Sequence, residues 1–467
     1  MNTSNEFRTE RDLLGEKKIP AKVYYGVQTA RAMENFQISG VPISQYPDLI
    51  RALAVIKLAA ARANVECGAF DKTILNGIEG ACREVMDGKL HAEFQVDLIQ
   101  GGAGTSTNMA ANEVIANRAL ELMGHKKGEY KYCDPHDHIN CSQSTNDAYP
   151  SALHVAMVFM NGRLIEEMDR LVTALRKKGK EFARIVKMGR TQLQDAVPMT
   201  VGQEFDAWAQ SLDNEVEALR RIENVLLQVN MGGTAIGTGL NAPKGYSAKC
   251  VQQLGQITGK EFRLARNLVE ATQDTQPFVL YSSVLKSVAI KLSKICNDLR
   301  LLSSGPRTGL FEINLPPKQP GSTIMPGKVN PVIPEVVNQA CYRVIGNDLT
   351  VTLAAEAGQM QLNAMEPVIA DCILNSQTLF MNSARTLREH CVDGITVNEE
   401  VCRHHVEHSI GVVTALNPVI GYETATKLAA EALKTGRGIV ELVREKGILT
   451  DRQIAEVLDP ARMTGNS

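Results

Sequence analysis

The chain has 467 residues, 44% of them apolar, which is enough for a large core and too apolar for a disordered chain. Its 50 Lys and Arg nearly cancel its 52 Asp and Glu, so bulk charge argues against nucleic acid or an anionic membrane as partner. Ten cysteines are scattered from Cys67 to Cys402 without a CxxC pair, the pattern of reduced, cytoplasmic thiols and not of a disulfide framework.

The N-terminus, MNTSNEFRTERDLLGEKK, is polar and lacks the apolar core of a signal peptide. Residues 1 to about 50 read as irregular, punctuated by Gly15, Pro20, Gly26, Gly40, Pro42 and Pro47. Leu53, Ile56, Ala60 and Ala63 then predict one helix, and Ile74, Ile78, Cys82 and Met86 a second. A Gly- and hydroxyl-rich turn, QGGAGTSTNM, leads into a helix starting near Asn108. After Pro150, the residues Leu153, Met157, Met160, Leu164, Met168, Leu171 and Leu175 recur at three- and four-residue steps. They predict an amphipathic helix roughly 50 Å long at 1.5 Å per residue. A second long stripe runs from Phe205 to Leu226 and a third from Leu285 to Leu302, with the glycine cluster MGGTAIGTGLNAPKGY between them. Further helices are predicted to begin near Pro334, with Glu335 in the first turn, and after Pro367. From Gly394 the helices shorten. No sustained period-two run predicts a strand, and no apolar run approaches the ~20 residues of a membrane helix. The expected architecture is all-α in three domains: a mostly helical 1–142, a central long-helix bundle at 143–393, and a small helical 394–467.

Four polar stretches interrupt the helices, at 101–108, 142–147, 189–195 and 321–330. The plain alternative for each alone is a helix-connecting turn with its caps, and it is the weaker reading. All four are rich in hydroxyls, amides and glycine, and the last, GSTIMPGKVN, adds Lys328. Together they suit a small anion held by hydrogen-bond donors. A phosphate loop is rejected, because five residues separate Gly321 from Gly327 and Val329 follows the lysine. Gly102-Ala103-Gly104 lacks the third glycine and βαβ setting of a dinucleotide site. His404 and His408 have no HExxH spacing and read as solvated, and His136 and His138 have no evident third ligand. Neither a metal nor a cofactor is expected.

GSTIMPGKVNP resembles the signature loop of the aspartase/fumarase superfamily. The resemblance continues in order through DLLGEKKIPAKVYYGVQTARAMENF, QGGAGTSTNM, CSQSTNDAYP, GRTQLQDAVP and GGTAIGTGLN, and covers essentially the whole chain. TQLQDAVPMT and IPEVVNQACYRVIGND place it nearer the aspartase side of that superfamily. The resemblance implies a cytoplasmic α-helical homotetramer whose active sites each draw on three chains. It implies reversible elimination of ammonia from L-aspartate to give fumarate, with a base removing a Cβ proton and the β-carboxylate taking up the charge as an aci-carboxylate. Preorganised donors are what such a charge requires.

By the same resemblance Ser322 is the base. Thr105, Ser144, Thr145 and Thr323 would hold the β-carboxylate, and Thr191, Lys328 and Asn330 the α-carboxylate. Asn146 and Gln192 would lie near the amino group, with Glu335 orienting Gln192. Arg31 stays open between a carboxylate ligand and a surface arginine. Departures from the family pattern are Thr323, where Ser is frequent, and Ala110, where relatives often have Asn. Gln192 and Asp134 stand where class II fumarases carry His, which argues against the alternative of a fumarase. A catalytically silent structural protein on the same fold is the other alternative; the intact Ser322, Lys328 and Asn330 argue against it.

Overall fold

The computed structural model describes residues 6–321, 325 and 327–459; Ser322 and Thr323 lie outside them. The fold is helical, as the periodicity predicts. Its long helices are Thr145–Glu181, Val201–Leu226, Gln276–Leu302, Val332–Glu356 and Glu366–His390. Every member of the stripe from Leu153 to Leu175 is buried, as is every member from Leu285 to Leu302. In the stripe between, Ile222 is half-buried and the others are buried.

The Thr145 helix begins ahead of Pro150, not after it. Proline lacks the N–H that would bond the carbonyl of residue 146. Here Asn230 Nδ2 donates to Asn146 O at 2.9 Å and takes the place of that bond. A side chain remote in sequence thereby lets the helix tolerate its proline.

Among the described residues, eight short strands form four two-stranded sheets that the sequence reading does not anticipate. Phe7–Asp12 pairs antiparallel with Gly15–Pro20, and Val186–Thr191 with Gln194–Thr200. Gln228–Val229 pairs in parallel with Arg263–Leu264, and Ile313–Asn314 antiparallel with Thr396–Val397. The reason for the miss is compositional: in the first hairpin only Glu10 and Ile19 are buried, so no apolar alternation exists to read.

The fold divides into two compact units. The first holds residues up to Leu164, Ala218–Lys286 and Arg343–Leu379; the second holds Ile165–Glu217, Ser287–Tyr342 and the chain from Phe380. At the centre of the first is the helix Pro47–Glu66, buried nearly all round from Leu49 to Ala63. It packs on the helices Lys72–Met86, Thr105–Leu122 and Tyr246–Thr258. The second unit includes the short helices Glu399–His408, Val412–Ile420, Tyr422–Thr435, Ile439–Glu445 and Asp451–Val457. Val406, Leu416, Leu428, Ile439, Leu442, Val443 and Met188 share one apolar cluster there. No helix among the described residues is long and apolar enough to cross a membrane. All ten cysteines are free.

Candidate functional site

Two helix N-termini meet in the first unit, and both carry predicted site residues. Thr105 opens the helix Thr105–Leu122, entered through Gly104 at φ +86°. A side chain at Gly104 would strike the ring of Tyr149, 2.4 Å from the position of its Cβ. This contact brings the 101–108 loop against the start of the Thr145 helix. Asn108 completes the junction by donating from Nδ2 to Thr145 Oγ1 at 3.2 Å. Helix N-termini present unsatisfied N–H groups and positive partial charge, so their meeting suits an anion.

Each predicted hydroxyl is in a distinct state. Thr105 is exposed and donates its hydrogen to Gly102 O at 2.7 Å, so it must rotate to serve a ligand. Ser144 Oγ accepts from the Asn146 N–H at 3.2 Å, and Thr145 Oγ1 accepts from Asn108; neither hydroxyl hydrogen has an acceptor among the described residues. Asn146 donates Nδ2 to Ala235 O at 2.8 Å. Its Oδ1 therefore remains an acceptor, the polarity an ammonium group needs.

Behind these residues lie two buried charges that the sequence reading does not single out. Asp147 accepts from the backbone N–H of Ser144 at 2.9 Å, Gly232 at 2.9 Å and Thr234 at 3.1 Å. It thus ties the 142–147 loop to the glycine cluster. Burial pushes its carboxyl up to about 6, against the pull of those N–H groups. Lys57 is fully buried, and burial lowers its ammonium to about 7, with the charge of Asp147 opposing. Lys57 had a sequence signal: it sits four residues after Leu53 and three before Ala60, on the stripe read as core. Ala103, Ser142 and Thr234 all hold positive φ without being glycine, which concentrates backbone strain in these same loops.

Thr191, Gln192, Lys328, Asn330 and Glu335 belong to the second unit. Thr191 ends one strand of a hairpin whose two-residue turn is Gln192-Leu193, at φ +53° and +62°. Positive φ at both turn positions is the type that matches strand twist, normally with Asn or Gly. The hairpin is held by Glu312, which pairs with Lys187 at 3.0 Å and Arg190 at 2.7 Å, both on the first strand. Burial raises the Glu312 carboxyl, but the two cations outweigh it and hold it low. Ser409 Oγ donates to Asp195 Oδ2 at 2.7 Å, fixing the second strand. Thr191 and Gln192 themselves are exposed. No hydrogen bond joins Gln192 to Glu335 among the described residues; Glu335 N–H bonds Pro331 O in the first turn of its helix.

Lys328 is exposed and Asn330 half-buried. At the base of their loop, a Cβ on Gly321 would fall 1.1 Å from Lys328 O, so only glycine fits there. Arg31 forks onto Asp12 at 2.8 and 3.0 Å and donates to Gly15 O. Its role in this structure is to hold the first hairpin. His404 and His408 are exposed, with ring centroids 3.9 Å apart and planes tilted by 39°, and no group of metal-ligating side chains occurs among the described residues.

Long helices presenting donor-rich loops, with a catalytic-loop signature, define a helical lyase. The family model for lyases matches residues 15–346, and that for the fumarase C C-terminus matches residues 412–465. The chain belongs to the aspartase/fumarase superfamily. It is 57% identical to an aspartate ammonia-lyase of Pseudomonas fluorescens over 99% of this chain and 97% of the relative. It is 52% identical to an aspartate ammonia-lyase of Escherichia coli strain K12, over 97% of this chain and 95% of the relative. A fumarate lyase:delta crystallin from Brucella melitensis superposes with a TM-score of 0.95 at 52% identity, covering 98% of this chain and 99% of that one. A class II fumarase from Schistosoma mansoni superposes with 0.91 at 35% identity, covering 98% and 99%.

Proposed function

We propose that this chain is an aspartate ammonia-lyase, eliminating ammonia reversibly from L-aspartate to give fumarate. The observation that carries this reading is identity of 52–57% across nearly the full length to relatives bearing that name. Local chemistry supports it. Asn146 keeps an acceptor for an ammonium group, and the hairpin turn carries the neutral amide of Gln192.

In this reading Ser322, as alkoxide, removes the Cβ proton, and electron density moves into the β-carboxylate. Thr105, Ser144, Thr145 and Thr323 supply donors to the resulting aci-carboxylate. Thr191, Lys328 and Asn330 hold the α-carboxylate, and Asn146 and Gln192 attend the amino group as the C–N bond breaks. An alcohol needs a lowered pKa for this task, from backbone N–H groups and a nearby cation, and Lys328 is the cation in the same loop. Gly327, at φ +84°, adds backbone freedom to that loop.

The same reading makes the protein a cytoplasmic homotetramer with shared active sites, and keeps the three-domain division at 1–142, 143–393 and 394–467. Support for association comes from the helix Val332–Glu356. Val337, Cys341, Val344 and Val351 are buried, while Tyr342, Ile345, Leu349 and Leu353 leave a second apolar face exposed in the single chain. Such a face suits burial against further copies.

The test is to offer L-aspartate and L-malate separately and follow fumarate by its ultraviolet absorbance. Aspartate turnover with little or no malate turnover is expected; turnover of malate alone would make the protein a fumarase.

A further inference from the structure

Three amide side chains converge on the Lys57 ammonium. Its Nζ donates to Asn108 Oδ1 at 2.7 Å, Gln143 Oε1 at 2.9 Å and Asn140 Oδ1 at 3.1 Å. An ammonium has three hydrogens, and here each has one acceptor. Lys57 is fully buried and Asn108 nearly so. Among the described residues no carboxylate pairs with this ammonium, although Asp147 is near enough to feel its charge. A buried cation of this kind costs several kcal/mol unless it is well solvated by the protein. Its placement beside the hydroxyls of the site therefore calls for a reason.

The reason lies in what the cation does to the amides. With oxygens turned toward Nζ, their NH2 groups must face away. Asn108 Nδ2 then points at Thr145 Oγ1, at 3.2 Å, and at Asn140 Oδ1, at 3.1 Å. Flipping the Asn108 amide would set its NH2 against the ammonium and its oxygen against Asn140 Oδ1. Both contacts would be repulsive, so one orientation is enforced. Asn140 Oδ1 is further claimed by Asn112 Nδ2 at 3.1 Å. Gln143 sends Nε2 to Ile139 O at 2.8 Å and Cys141 O at 3.2 Å, stiffening the turn ahead of Ser144.

A hydroxyl that accepts from Asn108 does not need its own hydrogen for that bond. We propose that Lys57, acting through Asn108, is a positioning residue that turns the Thr145 hydroxyl hydrogen outward as a donor to the substrate carboxylate. The chain runs from ammonium to amide to hydroxyl to carboxylate, with every dipole aligned toward the anion. Such alignment strengthens each successive bond. Without it, Thr145 can donate inward to an Asn108 oxygen and turn lone pairs toward the negative charge. This inference rests on the reading of Thr145 as a carboxylate donor in an ammonia-lyase.

The experiment is a double-mutant cycle on kcat/KM for L-aspartate, with circular dichroism and native mass recorded for each variant. Thr145→Val removes the donor and should lower kcat/KM about 100-fold. Lys57→Met, of similar length but uncharged, should cause a comparable loss while the protein stays folded. Asn108→Asp keeps a partner for Lys57 but gives Thr145 an acceptor in place of a donor; it tests the same chain even if Lys57→Met does not fold. The expected result is that Thr145→Val combined with either change is no worse than Thr145→Val alone. Losses that multiply, or an Asn108→Asp variant with full activity, overturn the proposal and leave a merely structural lysine. Failure of the functional reading is seen separately, as wild-type protein inactive on L-aspartate.

Discussion

Ser322 and Lys328 share one ten-residue loop, yet the proposed chemistry asks different things of them. Ser322→Ala should lower kcat by about 10²–10⁴-fold, the usual contribution of a general base, with helicity unchanged by circular dichroism. Near-normal turnover would assign proton abstraction to another group. Lys328→Ala should act on capture, raising KM about ten-fold or more while sparing kcat, as expected for loss of one charge-assisted bond to a carboxylate. An unaltered KM would remove Lys328 from the α-carboxylate. At this scale the sequence was legible where residues fall in dense motifs. Thr105, Ser144, Thr145 and Asn146 do come from segments that meet, as the Asn108–Thr145 bond and the Gly104–Tyr149 contact attest. Lys57 was legible in principle, as a charge on a buried stripe. Its amide partners at 108, 140 and 143 were not, because nothing in spacing says that three remote oxygens converge on one ammonium.

The elements show how side chains from elsewhere complete local structure. Asn230 supplies the bond that Pro150 withholds from Asn146 O. Asn230→Ala should therefore destabilise the protein by about 1–3 kcal/mol, the cost of an unsatisfied buried carbonyl. Pro150→Ala in the same background should restore part of that, since alanine brings its own N–H. Chemical denaturation measures both, and equal losses with and without Pro150 would discount the compensation. The same helix carries His154, whose Nδ1 lies 2.9 Å from Leu226 O. Burial lowers its imidazole to about 4, from an ordinary 6.5. A depressed folded value means the stabilising contribution is present above the unfolded pKa. It is lost as pH falls from about 6.5 through 4. Between pH 7 and 5 the loss from this one group is about 2 kcal/mol. His154→Asn should lack that increment, so the wild type should lose more stability than the variant over the same interval. Parallel pH profiles would show that His154 is not the group responsible.

On the scale of the whole molecule, the helix Val332–Glu356 has more apolar surface than one chain covers. Tyr342, Ile345, Leu349 and Leu353 are each more than a third exposed, at steps of three and four residues. The tetramer reading predicts a native mass near four times the 51.0 kDa chain. Leu349→Lys with Leu353→Lys should lower that mass in sedimentation, because each buried leucine contributes about 1.5–3 kcal/mol and a buried lysine is costlier still. If each active site draws on three chains, aspartate turnover should fall with the mass. A wild-type protein that sediments as a monomer would refute the assembly.

The sequence by itself determined the helical class, the long buried stripes, the donor-rich composition of the four polar stretches and membership of the lyase superfamily. Periodicity and contiguous motifs are local properties, and these features are written locally. The four small sheets, the helix begun ahead of its proline, and the Asp147 and Lys57 anchors were decided only by tertiary structure. Bonds between residues far apart in the chain complete the proline helix, the Val186–Thr200 hairpin and the Lys57 anchor: Asn230 with Asn146, Glu312 with Lys187 and Arg190, Lys57 with Asn108. Burial then sets the protonation of those anchors, and burial is a property of the folded neighbourhood and not of the residue.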